Sequence, residues 1–332
     1  MSTESEASAE PQTRPEAKRR NAGTELVAIL GGTAVLFVVV KVLVPWLNAP
    51  SQGDRVGEVR RDIANLENAL VSFKLEFGVD PPSSLTFSES GNWTEAAHPD
   101  LPRSRALLRR IFPDFRFQAI DLNHDGDKND RIHLNGSECL VFFLGGVRNP
   151  KTGLLEGFSA NPLNPFAVGG SRGPFYEFGV SGFDVESGKW TGRFVDLDGD
   201  SFPELLDTIA GQKKPYLYFG SIRNDVYWSV KQSPKHPDIS ERRSWHNSDN
   251  YDSASPTDGI PYAYFRSFDP LSSEKSRPYY SKPHSRFQII SPGFDGEYGT
   301  GGRFSPRDPS GLSPADQDNI TNFHPGQLGK PL

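Results

Sequence analysis

DRVGEVRRDIANLENALVSFKLEF, residues 54–77, is the stretch on which the fold turns. Its apolar residues fall at Val56, Val59, Ile63, Leu66, Leu70, Phe73 and Phe77. Steps of three and four residues bring all of them to one face of an α-helix, because a helix turns once in 3.6 residues. Asp54 suits the start, since its carboxylate can accept from the orphan N–H groups of a first turn. Gly78 tolerates the left-handed backbone that closes a helix, and Pro81 and Pro82 bar continuation. The pattern predicts an amphipathic helix over 54–77 with its apolar stripe laid on a globular head. The same repeat is also that of a short coiled coil.

Upstream lies LVAILGGTAVLFVVVKVLVPWL, residues 26–47, apolar except for Thr33 and Lys41. At about 1.5 Å per residue it would be about 33 Å long, enough to cross a bilayer core of about 30 Å. Lys41 stands near one end, where its ammonium can reach the interface, and Trp46 suits an interfacial belt. A signal-peptide core is usually shorter, and Leu47-Asn48-Ala49 is a poor cleavage site. Lys18, Arg19 and Arg20 just before the run predict a cytoplasmic N-terminus; Arg55, Arg60 and Arg61 beyond it weaken that asymmetry. The expected plan is a disordered cytoplasmic tail over 1–22, a membrane helix over 23–48 and an extracytoplasmic head over 51–332. The chain would cross the inner membrane once.

The composition bounds the head. A single cysteine, Cys139, excludes an internal disulfide framework and a cysteine-rich zinc site. A net charge of −6 gives no nucleic-acid footprint. With 32 Gly and 28 Pro, an all-helical bundle is disfavoured, while 23 Phe, 10 Tyr and 5 Trp argue against wholesale disorder. Residues 104–112 read as a short helix stopped by Pro113. Residues 140–144 (LVFFL), 216–219 (YLYF) and 287–290 (FQII) read as strands, each closed by Gly or by Ser-Pro. Loops rich in Pro, Asn, Gly and Ser fill 161–175 and 232–259.

Two central loops carry alternating acids. In DLNHDGDKND (121–130), Asp121, Asn123, Asp125 and Asp127 alternate and Gly126 takes the sharp turn, as in the first half of an EF-hand loop. The twelfth place holds Ile132 instead of a bidentate Glu. In DLDGDSFPELLD (196–207), Asp196, Asp198 and Asp200 alternate, Glu204 stands ninth and Asp207 twelfth, with Gly at the fourth place. Alternation lets several oxygens converge on one ion, and an all-oxygen set selects Ca²⁺ over zinc or copper. Solvated acidic turns share this composition. A third candidate lies at the C-terminus, where Asp295, Asp316 and Asp318 meet if the intervening loop folds back.

Here the chain resembles a known family. Residues 62–78, DIANLENALVSFKLEFG, with the paired prolines after them, resemble the helix of the major (G-type) pseudopilins of type II secretion, which are type IV pilin-like proteins. FQIISPGFDGEYGTGG (287–302) and DNITNF (318–323) are similar to that family's C-terminal strand and calcium loop. The resemblance covers 62–82 and about 286–323. It implies an α+β, pilin-like fold: a long, partly transmembrane N-terminal helix packed on a loop-rich antiparallel sheet, with 78–285 as a large inserted region. It also implies a fibre subunit that associates with itself or with other pseudopilins through the 26–77 helix. Asp295 and Asp318 match the family's calcium ligands, with Asp316 behind them. The leader departs from the family pattern, since Gly23 is followed by Thr24 and Glu25.

Catalytic signals are weak. GGSRG (169–173) fits G-x-S-x-G, but it follows a proline-rich loop and precedes Gly-Pro, where a nucleophile elbow needs a strand and a helix. Cys139 with His133 is the other nucleophilic combination, and Cys139 adjoins an apolar run where cysteine serves as a small hydrophobe. The seven histidines show no metalloprotease spacing. The expected function is a non-enzymatic, membrane-anchored, calcium-stabilised pseudopilin-like subunit. The alternative is a tethered, calcium-stabilised binding or adhesion module that forms no fibre.

Overall fold

The computed structural model describes residues 51–223, 226–227, 262–266 and 287–332. The expected tail and membrane run within 1–50, the polar stretch 232–259, and His236, His246 and His284 lie outside the described residues.

The 54–77 periodicity becomes helix α1, Gln52–Phe77. Val59, Ile63, Leu66, Leu70, Phe73 and Phe77 are buried, and Val56 is half-buried at the upper end of the same stripe. Each full burial removes a side chain's worth of apolar surface from water, about 2 kcal/mol apiece. Gly78 ends the helix at φ 76° with its N–H on the Lys74 carbonyl at 2.8 Å. The polar face carries Glu58, Arg60 and Arg61 to the surface.

Beyond the helix, strand β1 (Leu85–Ser88) pairs antiparallel with β2 (Arg131–Leu134). Helix α2 (Leu101–Ile111) lies between them in the chain and stops before Pro113, where a short helix was expected. The LVFFL run is not a strand. It lies within helix α3, Gly136–Gly145, all ten residues of which are buried. The reason is local: Asn135 accepts from Ser137 N at 2.8 Å and Glu138 N at 3.1 Å, and Glu138 Oε2 accepts from Asn135 N at 2.7 Å. This capping box nucleates a helix. Because α3 is surrounded on every side, its sequence has no polar face and shows no helical period.

Short hairpins follow: β3 (Gly182–Asp184) with β4 (Lys189–Thr191), and β5 (Phe194–Val195) with β6 (Glu204–Leu205). The largest sheet is antiparallel, in the order β12-β10-β7-β8, from Ile320–Thr321, Phe287–Ser291, Leu217–Arg223 and Val226–Tyr227. A parallel pair joins β9 (Tyr262–Arg266) to β11 (Gly301–Phe304). The expected strands at 216–219 and 287–290 are thus present, within one residue of their predicted starts.

Alternation along this sheet divides two cores. Tyr216, Tyr218, Phe287 and Ile289 face α1, α3 and a cluster of phenylalanines. Leu217, Phe219 and Ile290 face the other way, toward Tyr264, Tyr298 and Phe304. In the first core Phe73 and Phe77 of α1 meet Phe143, Phe112, Phe158 and Phe175, mostly edge to face at 5.2–5.8 Å between ring centres. Glycine is required where α3 ends. Gly146 has φ 83°, and a Cβ there would stand 2.2 Å from the Gly157 backbone.

The expected pilin-like plan, a long and partly transmembrane helix on one antiparallel sheet, is corrected by these features. The described residues form an α+β fold with three α-helices and several small sheets, one of them parallel. No helix among them is long and apolar enough to cross a membrane. A single broad sheet does not arise because the most apolar run downstream is helical. Most strands span only two to five residues.

A buried carboxylate ties the pieces together. Asp62 of α1 accepts from both terminal nitrogens of Arg193, from the Tyr176 hydroxyl, and from the Tyr216 hydroxyl at 2.8 Å. Arg193 also donates through Nε to the Leu206 carbonyl at 2.8 Å. Burial works against the guanidinium charge, but the Asp62 carboxylate outweighs it and holds Arg193 above its ordinary pKa. Burial and the same carboxylate push the Tyr176 phenol up. Removing one member of a buried pair strands the other charge, at about 3–5 kcal/mol. Asp62→Ala is expected to lose about that much in urea unfolding followed by tryptophan fluorescence, and an unchanged midpoint would refute the assignment.

Candidate metal centre

The 196–207 loop opens after β5 and closes through β6. Asp196 Oδ1 accepts from Gly199 N at 2.7 Å and Oδ2 from Ser201 N at 3.2 Å. Asp198 Oδ1 accepts from Asp200 N at 3.2 Å, and Asp200 Oδ1 from Phe202 N at 2.8 Å. Glu204 Oε2 accepts from Leu197 N at 3.2 Å. Gly199 at φ 82° and Ser201 at φ 76° give the loop its tight curl. The alternating acids therefore hold their own backbone, and that fixes where the carboxylates point.

A residue from outside the loop completes the cluster. Glu138 of α3 brings a carboxylate oxygen to Asp198 and Asp200, with one oxygen of each within 4.8 Å of the others. Glu138 is 1 % exposed. Its Oε2 is held by Asn135 N, and its Oε1 has no hydrogen-bond partner among the described residues. Burial, then the charges of Asp200, Glu204 and Asp198, hold its carboxyl well above the usual range. Burial pushes Glu204 up to about 8 against the Leu197 N–H, and Asp198, Asp196 and Asp200 add to the effect. Acids crowded this closely favour protons or a cation. The donor set is all oxygen, suited to a hard divalent ion.

Asp207, the expected twelfth ligand, serves elsewhere. It is buried, accepting from Ile209 N at 2.8 Å, Ser291 Oγ at 2.5 Å and Gln212 Nε2 at 3.2 Å. It ties the end of the loop to β10.

The 121–130 loop has the same internal wiring. Asp121 Oδ2 accepts from Gly126 N at 3.1 Å, Asn123 Oδ1 from Asp125 N at 3.1 Å, Asp125 Oδ1 from Asp127 N at 2.8 Å, and Asp127 Oδ1 from Asn129 N at 2.7 Å. Gly126 is at φ 96°. Glu89, just after β1, holds the start of this loop from outside. Its Oε1 accepts from Leu122 N at 2.5 Å and Asn123 N at 3.2 Å, while Oε2 has no hydrogen-bond partner among the described residues. Burial raises the Glu89 carboxyl against those two N–H groups, and Asp121 and Asp130 raise it further. A cavity of about 20 Å³ between the two central loops, lined in part by Asn123, Arg148 and Ser201, is the size of a single water.

At the C-terminus, Asp295 and Asp318 come together. Asp318 Oδ2 accepts from Phe294 N at 2.6 Å and Asp295 N at 3.1 Å, and Asp295 Oδ1 accepts from Glu297 N at 2.7 Å. Asp316 faces a different way. It is fully buried and accepts from the Tyr264 hydroxyl at 2.5 Å, Ser313 Oγ at 2.5 Å, Gly301 N at 2.8 Å, Ser313 N at 3.1 Å and Thr300 N at 3.2 Å. Those donors occupy both of its oxygens.

Sequence reading missed Glu138 and Glu89. Glu138 carried one legible signal, the Asn135-x-x-Glu138 capping pattern, but that pattern says nothing of a carboxylate set beside a loop 60 residues on. Nothing in the sequence marks Glu89. The catalytic candidates sit apart from both loops' acids. His133 Nδ1 lies 3.0 Å from Thr86 Oγ1, Cys139 Sγ points at the Leu134 carbonyl at 3.6 Å, and 169–173 is loop.

No family model, curated protein or solved structure matches this chain.

Asp316 and Asp318 are predicted to differ on substitution. Asp316→Ala strands six donors and is expected to lower thermal stability by about 3 kcal/mol or more, equally in EGTA and in millimolar Ca²⁺. A calcium-dependent loss at Asp316, measured by differential scanning calorimetry in both buffers, would make it a ligand instead.

Proposed function

We propose that this chain is a non-enzymatic structural subunit related in role to the major pseudopilins of type II secretion. It is anchored in the inner membrane by residues 26–47, with its head outside and calcium ordering the head's acidic loops. The observation that carries the reading is a contact between the two stretches that bear the family resemblance. Asn322 Nδ2 donates to Glu67 Oε1 of α1 at 3.2 Å across 255 positions of sequence, and Arg60 donates to the Pro325 carbonyl. The helix motif and the C-terminal motif are thus parts of one unit, joined although about 200 residues lie between them.

Self-association through the helix is the property that separates a fibre subunit from a tethered binding module. On α1, Leu75 is 82 % exposed and Glu58 is at the surface, whereas the natural Cys139 is buried. A Glu58→Cys/Leu75→Cys variant of the full chain, oxidised in its native membranes, is expected to give a ladder of dimers and higher multimers. The wild-type chain should stay monomeric under the same oxidant. A doubly substituted chain that also remains monomeric would overturn the fibre reading in favour of the binding module.

A further inference from the structure

The geometry points to a divalent-cation site of the calcium class formed by Glu138 of α3 with Asp198 and Asp200, flanked by Asp196 and Glu204. In it the ion fastens the 196–207 loop to the N-terminus of a buried helix. Such an ion belongs to the calcium part of the functional reading and is independent of fibre formation. A failed cation titration and a failed cross-link are therefore separate results.

Two independent observations meet here. The first is convergence: one oxygen each from Glu138, Asp198 and Asp200 lies within 4.8 Å of the others. Calcium–oxygen bonds of about 2.4 Å allow two ligands on one ion to be at most about 4.8 Å apart, so the three oxygens are close enough to share an ion. The second is Glu138 itself. It is 1 % exposed, comes from a different element, stands with its carboxylate beside the two loop acids, and has one oxygen without a hydrogen-bond partner among the described residues. Buried carboxylate oxygens are nearly always satisfied, so an orphan one on a carboxylate beside two more acids marks a place for a bound cation.

The chemistry selects the ion. The set contains only carboxylates, so zinc and copper, which favour imidazole or thiolate, are poorly served. Magnesium demands near-ideal octahedral geometry and keeps most of its waters. The loop's irregular spacing, with Gly199 one residue after Asp198, suits the flexible, higher coordination of Ca²⁺. Glu138 thereby acts twice. The carboxylate that closes the capping box at the start of α3 is the same one that meets Asp198 and Asp200, so occupancy of the loop would be felt at the start of the helix.

The test uses the full chain in mild detergent, stripped with EGTA and titrated with CaCl₂, followed by hydrogen exchange at peptide resolution. In the wild type, Ca²⁺ is expected to slow exchange at least tenfold in peptides covering 135–145 and 196–207, with much less effect from equimolar Mg²⁺. Glu138→Gln keeps the capping acceptor but removes a charge, and it should abolish the calcium response in both peptides. Asp198→Asn, at an exposed position, should do the same if Glu138→Gln fails to fold. The inference is overturned if the wild-type peptides do not respond to millimolar Ca²⁺, or if the folded variants respond as the wild type does.

Discussion

The Asp62 carboxylate, set in the middle of α1 and bound to Arg193, Tyr176 and Tyr216, is the interaction from which the rest of the head hangs. A charge so placed cannot be solvated by water and is satisfied only by partners from three separate downstream segments. It fixes where the 176–206 hairpins and the start of β7 sit against the helix. An apolar stripe alone would let those pieces slide, because hydrophobic contact is not directional. Arg193 carries the tie onward through the Leu206 carbonyl to the strand that leads out of the second acidic loop.

The same economy recurs at Glu138 and Glu89. Each is a buried glutamate that gives one oxygen to backbone N–H, has its other oxygen without a hydrogen-bond partner among the described residues, and stands beside a loop of alternating acids. The head has no disulfide to constrain these loops, since its lone cysteine is buried inside α3. Loops closed by the proposed ion would lose that constraint when the ion leaves, which a disulfide does not.

Legibility differed by element for physical reasons. The strands at 217–223 and 287–291 were readable because, buried on both faces, they leave short apolar runs closed by Gly or Ser-Pro, and the α1 stripe because one face of the helix lies in the core and leaves a periodic trace. Helix α3 was misread because a fully buried helix leaves none, and LVFFL has the composition of a strand as well. The inward turn of the central acids was readable from alternation, and their internal Asx wiring follows from it. Asp207 and Asp316 match the others in composition but are consumed by buried donors, which only three-dimensional neighbours reveal.

The sequence by itself determined the amphipathic helix α1, the positions of the acidic turns and the absence of a disulfide scaffold, because those are properties of local spacing and composition. Only the tertiary structure decided that the strands stay in several small sheets, that α3 is a helix, and that Glu138 and Glu89 face the acidic loops. Those outcomes depend on which distant groups a buried polar atom can reach, and reach across 30 to 60 residues is set by packing and not by spacing along the chain.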